Sequence, residues 1–153
     1  MTRTACMVLM AALAAVLLAT CASRNVAKPV MQPCVTSEAE AAVLRDRWGI
    51  EITSIHLSMR GRMVDFRYKV LDPAKAVTLA KRENKPQLID QASGSILLVP
   101  NTPKLGPLRQ SASRLNKGKI YFALFGNTRC IVKPGSKVTV VIGEFRAENL
   151  TVQ

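Results

Sequence analysis

The chain of 153 residues carries 22 Lys and Arg against 10 Asp and Glu, a formal charge of +12, with one histidine and 5% aromatic residues. It is long enough for one domain with a hydrophobic core and too short for two comfortable ones. The lone histidine excludes most metal centres and most histidine-based catalysis, and the basic balance points to anionic partners.

Met1 to Ser23 reads as an export signal. Arg3 supplies a positive start, and Met7 to Ala19 is an apolar run of about 13 residues, the length of a signal core and short for a bilayer span. Its end, Leu18-Ala19-Thr20-Cys21, resembles the lipobox of bacterial lipoproteins, which implies cleavage after residue 20 and lipidation of Cys21. Thr20 stands where that pattern favours Gly, Ala or Ser. Thr20-Cys21-Ala22 is also small-x-small, so conventional cleavage to a soluble periplasmic or secreted protein is the alternative, and an uncleaved anchor is a third reading. Ala22 lacks the Asp that the resemblance would make an inner-membrane retention signal, which in a Gram-negative envelope implies the outer membrane, facing the periplasm. On this reading residues 1–20 are a signal peptide, 21–35 a lipidated start and tether, and 36–153 a single domain. Pro29 and Pro33 make the tether extended, with a reach of about 45 Å when fully stretched.

Thr36 or Ser37 is next the N-cap of a helix to Trp48, with Glu38 and Glu40 in the first turn, where a helix dipole favours negative charge. Ala41, Leu44 and Trp48 share one face, and Gly49 is the stop. Trp48 is read as core packing in preference to a membrane-interface anchor. From Ile50 the period becomes alternating. Ile50 and Ile52, then Ile55, Leu57 and Met59, are apolar, and the phase slip at Thr53-Ser54 predicts a bulge. Arg60-Gly61-Arg62 predicts a tight turn, after which Val64, Phe66, Tyr68 and Val70 alternate with Asp65, Arg67 and Lys69 in a half-buried hairpin.

Asp72 is placed to cap a short helix over Pro73 to Ala80. Gln87–Asp90 and Ile96–Val99 flank turn chemistry at Gln91-Ala92-Ser93-Gly94. Further strands are expected at Lys119–Phe125, Cys130–Val132, Lys137–Ile142 and Phe145–Val152, with a turn at Pro134-Gly135. Roughly six to eight short strands at this spacing point to a mainly β fold, an antiparallel β-sandwich of immunoglobulin-like type, with a small closed barrel as the alternative.

No acidic residue occurs between Asp90 and Glu144, whereas Lys104, Arg109, Arg114, Lys117, Lys119, Arg129, Lys133 and Lys137 do. Pro103, Gly106, Pro107 and Gly118 mark the densest stretch as a loop, so Lys104, Arg109, Arg114, Lys117 and Lys119 form a candidate anion-binding surface. For an exported chain the candidate partners are anionic lipid, lipopolysaccharide or another envelope protein. The stretch lacks the aromatic residues of a stacking platform, so nucleic acid is not expected. The competing reading is the ordinary solvated face of a basic protein.

Cys6 leaves with the signal and Cys21 takes the lipid, which leaves Cys34 and Cys130 as a candidate disulfide. Closing a loop of about 100 residues would stabilise by about 4 kcal/mol in the chain-entropy model, and would staple the tether to the domain. Two unpaired thiols are the alternative.

The stretches Val64-Asp65-Phe66-Arg67-Tyr68-Lys69-Val70, Gly106-Pro107-Leu108-Arg109-Gln110 and Val132-Lys133-Pro134-Gly135-Ser136-Lys137-Val138-Thr139-Val140-Val141-Ile142-Gly143 resemble those of a group of uncharacterised exported bacterial proteins of lipoprotein type, over residues 48–152. The resemblance supports the domain boundary and implies no activity.

Chemistry is sparse. His56, Met59 and Met63 lie near one hairpin, a thioether and imidazole set that would suit Cu(I) and carries a minor copper-handling alternative. Glu144 with Glu148 and Asp65 with Asp90 show no spacing that specifies a shared site. No nucleophile elbow, phosphate-cradling loop or calcium loop occurs. The expectation is therefore a non-catalytic envelope lipoprotein without a cofactor, with a periplasmic enzyme of unrecognised site as the alternative.

Overall fold

The computed structural model describes residues 37–153, so the expected signal, Cys21, the tether and Cys34 lie outside the described residues. The first helix, α1, spans Glu38–Trp48. The Ser37 hydroxyl accepts from Glu40 N at 3.2 Å, Glu38 and Glu40 lie in the first turn, and Leu44 and Trp48 are buried, as their spacing predicts. Gly49 ends the helix at φ +61, and a Cβ there would stand 2.7 Å from Asp72 Cβ. Only glycine meets both conditions. The Gly49 carbonyl accepts from Leu71 N and Asp72 N at 2.7 and 2.9 Å, which joins the end of α1 to the start of α2, Pro73–Ala80. Asp72 caps α2 through Ala74 N at 2.9 Å.

Strands β1 (Ile50–Ser58) and β2 (Met63–Val70) form the expected hairpin, with its register shift between Ile52 and Ser54. The slip lets Ile52 and Ile55 both face the core across a single strand. β7, Ile120–Gly126, pairs with the other edge of β2, and Leu108 and Gln110 add a short outer rung to β7. The second sheet runs β4 (Ile96–Leu98), β3 (Gln87–Asp90), β8 (Lys137–Ile142), β9 (Phe145–Thr151). A two-residue pair, β5 (Asn101–Thr102) with β6 (Gly106–Pro107), stands apart.

Among the described residues all strand pairs are antiparallel, and the fold is mainly β with two helices. Inward side chains of both main sheets and both helices meet in one core, with Phe66, Tyr68, Phe125 and Phe145 among its largest members. After β9 the chain crosses to the other sheet, where Gln153 N donates to Ile55 O and Leu57 N to Gln153 O, each at 3.0 Å. At the opposite edges β4 approaches β7, and a Cβ on Gly126 would lie 3.4 Å from Pro100.

Three local expectations change. Cys130–Val132 is not a strand. The buried Asn127 side chain donates to Gly61 O and Val132 O at 2.8 Å each and accepts from Val132 N, so it satisfies groups that a ladder would otherwise pair. Met59 is not an inward strand residue; it is 70% exposed in the β1–β2 turn at φ 50. Asp65, expected on the polar face, is only 5% exposed.

Candidate anion-binding surface

The basic stretch is a pinned loop. Its start is held by Leu124 N donating to Leu108 O and Gln110 N to Phe122 O, and its end by Gly118 N to Val70 O and Val70 N to Lys119 O. Asn116 N donates to the Tyr121 hydroxyl at 3.0 Å, and Ala112 and Leu115 pack on the core. Arg114 and Lys117 flank Leu115 and are exposed. Leu115 is thus half-buried against the core while Arg114 and Lys117 turn to water.

The five predicted cations divide. Lys104, Arg114 and Lys117 are exposed and enter no ion pair among the described residues. Lys119 is exposed with its Nζ 5.6 Å from the Tyr121 ring centroid. Arg109 does not belong to a free contact surface. Its guanidinium donates to the carbonyls of Asn84 and Lys81, far away in sequence, and burial lowers its pKa, partly opposed by nearby Tyr68. It clamps the α2–β3 loop, which Asn84 also holds through Nδ2 to Thr78 O at 2.8 Å.

That loop supplies two cations that sequence reading missed, Arg82 and Lys85. Both are exposed and free of ion pairs among the described residues, and with Arg109 they line an open cavity of about 340 Å³. Pro86, Leu98, Val99, Asn101 and Pro107 complete its wall. Glu83, between them in sequence, is directed to Lys81 at 3.7 Å. The signal was present as Lys81-Arg82-Glu83-Asn84-Lys85, but nothing local shows that β4 and β6 bring apolar residues beside it. Two other surface cavities differ: one of about 300 Å³ between α1 and β9 mixes Glu40 and Glu148 with Arg146, and one of about 330 Å³ beside β4 holds a single cation, Arg129.

Cys130 is free and exposed, and its candidate partner Cys34 lies outside the described residues, as does Cys21. Trp48 packs edge-on against Phe145 with ring centroids 5.4 Å apart, which places it in the core.

On the outer face of the three-stranded sheet, His56 and Asp65 are cross-strand partners, with Nε2 3.8 Å from Oδ2. Arg67 grips both Asp65 oxygens at 2.9 to 3.2 Å, and that hydrogen bonding, then the carboxylate charge, raises the Arg67 pKa. Asp65 and Asp90 do not share a site: Asp90, in the other sheet, accepts from Ser93 N and Oγ at 3.0 and 2.7 Å to shape the β3–β4 turn. Glu148 pairs with Arg146. Met63 is buried while Met59 projects outward. No group of three or more His, Cys, Asp or Glu that could hold a metal occurs among the described residues, and no helix there is long and apolar enough to cross a membrane.

No family model matches the chain, and neither a curated protein nor a solved structure is detectably similar to it.

Proposed function

We propose that the chain is an exported envelope lipoprotein, anchored through Cys21 at the outer membrane and facing the periplasm, whose domain is non-catalytic and binds or scaffolds an anionic envelope component. The observation that carries this reading is the set Lys104, Arg114 and Lys117, exposed on pinned backbone with no carboxylate partner among the described residues. Cations held in place but unneutralised raise the local concentration of anions at little ordering cost. The signal-like start and the lipobox resemblance of Leu18-Ala19-Thr20-Cys21 support the address. Two main antiparallel sheets over one core support the β-sandwich, the short strands at turn spacing support its immunoglobulin-like type, and the Gln153 crossing between the sheets is what the closed-barrel alternative would also show.

The test is binding of the detergent-solubilised full chain to immobilised lipopolysaccharide. Binding should weaken with added salt and fall at least about tenfold when Lys104, Arg114 and Lys117 are changed together to Glu. Binding that ignores both salt and the triple reversal overturns the surface assignment. Mass analysis of the mature N-terminus settles the anchor: an acylated Cys21 supports it, and an unmodified start nearby makes the protein soluble.

A further inference from the structure

We infer that the cavity edged by Arg82 and Lys85, together with Leu98 and Leu105, is a contact site for an anionic phospholipid surface. The inference rests on the proposed envelope location and names the lipid-facing part of the domain. Leu105, at the tip between β5 and β6, is 79% exposed, and Leu98 on β4 is 57% exposed. Neither is a loose loop residue. The Thr102 hydroxyl accepts from Leu105 N at 3.3 Å and donates to Gly106 O at 3.0 Å, so the tip is held open with its leucine in water. Asn101 and Pro107, opposite one another at the base of this pair, line the same cavity as Leu98, Arg82 and Lys85.

The result is Leu98 in the cavity wall and Leu105, with Lys104 next to it, on the adjoining tip, beside cations that enter no ion pair among the described residues. Bulk water penalises the leucines, and no carboxylate among the described residues pairs with Arg82 or Lys85. A bilayer interface relieves both at once: lipid phosphates meet the cations while the leucines enter the acyl boundary. The Arg109 clamp on Lys81 and Asn84 holds the cation-bearing loop in position for that contact. A soluble anion would leave the leucines exposed, and an apolar protein partner would leave the cations buried without partners.

The test uses the full chain reconstituted in vesicles, with Leu105→Trp as the reporter and buried Trp48 of the parent as the background. Brominated lipid in vesicles containing phosphatidylglycerol should quench the new tryptophan strongly, and vesicles of phosphatidylcholine alone should quench it at least about fivefold less. Arg82→Glu with Lys85→Glu should abolish the quenching, whereas the charge-matched pair Lys133→Glu with Lys137→Glu should leave it; near-ultraviolet circular dichroism checks that each variant stays folded. Absence of quenching in anionic vesicles, or equal quenching in both vesicle types, overturns the inference. If lipopolysaccharide binding persists in that case, only the phospholipid site is lost; if it fails too, the proposed function falls with it.

Discussion

The outer face of the β1–β2–β7 sheet and the loops around β4 handle charge in opposite ways. On the sheet, Asp65 is buried and its oxygens are occupied by Arg67, with His56 alongside, so the charges largely answer one another. Around β4, Arg82, Lys85 and Lys104 stand free of ion pairs among the described residues, although the backbone carrying them is firmly held. Polar groups that find partners within the fold serve its architecture. Those fixed in place and left without partners are available for something outside it. Arg109 shows that residue type does not decide between the two roles: it lies in the basic stretch but spends its donors on carbonyls.

Four measurements would break or sharpen this contrast, and the largest effect belongs to the most internal polar group. Asn127→Ala should cost about 3 kcal/mol in urea unfolding, because it removes the side-chain partner of the buried Val132 N–H and carbonyl and of the half-buried Gly61 carbonyl. A loss below about 0.5 kcal/mol would mean that water replaces the side chain.

Tyr68 comes next. Burial pushes its phenol from 10.0 up to about 12, with nearby Arg109 opposing part of the shift. Between those values the unfolded chain ionises while the folded one keeps its proton, so stability should fall as pH rises, by about 2 to 3 kcal/mol in all. Tyr68→Phe should remove that part of the alkaline loss, which denaturant melts at stepped pH would reveal.

Arg109→Ala should destabilise by about 2 kcal/mol through the loss of charge-assisted bonds to Lys81 and Asn84. Hydrogen exchange should rise first in the α2–β3 loop. Smallest of all, Lys117→Glu should change stability by less than about 0.5 kcal/mol yet weaken lipopolysaccharide binding. A stability loss comparable to that of Arg109→Ala would place Lys117 among the internal groups.

Much of the fold was legible because its signals are local. Ser37, Gly49 and Asp72 announce helix ends through their own hydrogen bonds and backbone angles, and the phase slip after Ile52 announces the bulge. Cys130–Val132 misled because its composition is that of a strand, while its backbone groups are taken by Asn127. Of the candidate surface, the loop chemistry around Lys104, Arg114 and Lys117 is local and agrees with their exposure, whereas the grouping of Arg82 and Lys85 with apolar companions from β4 and β6 is not local.

By itself the amino-acid sequence determined the helix caps, the hairpins, the alternation that builds the core and the excess of positive charge, all properties of neighbouring residues. Only tertiary structure decided which charges are spent and which remain. A carboxylate or carbonyl partner can arrive from 25 or 28 residues away, as Asn84 and Lys81 do for Arg109, and no local pattern records that meeting.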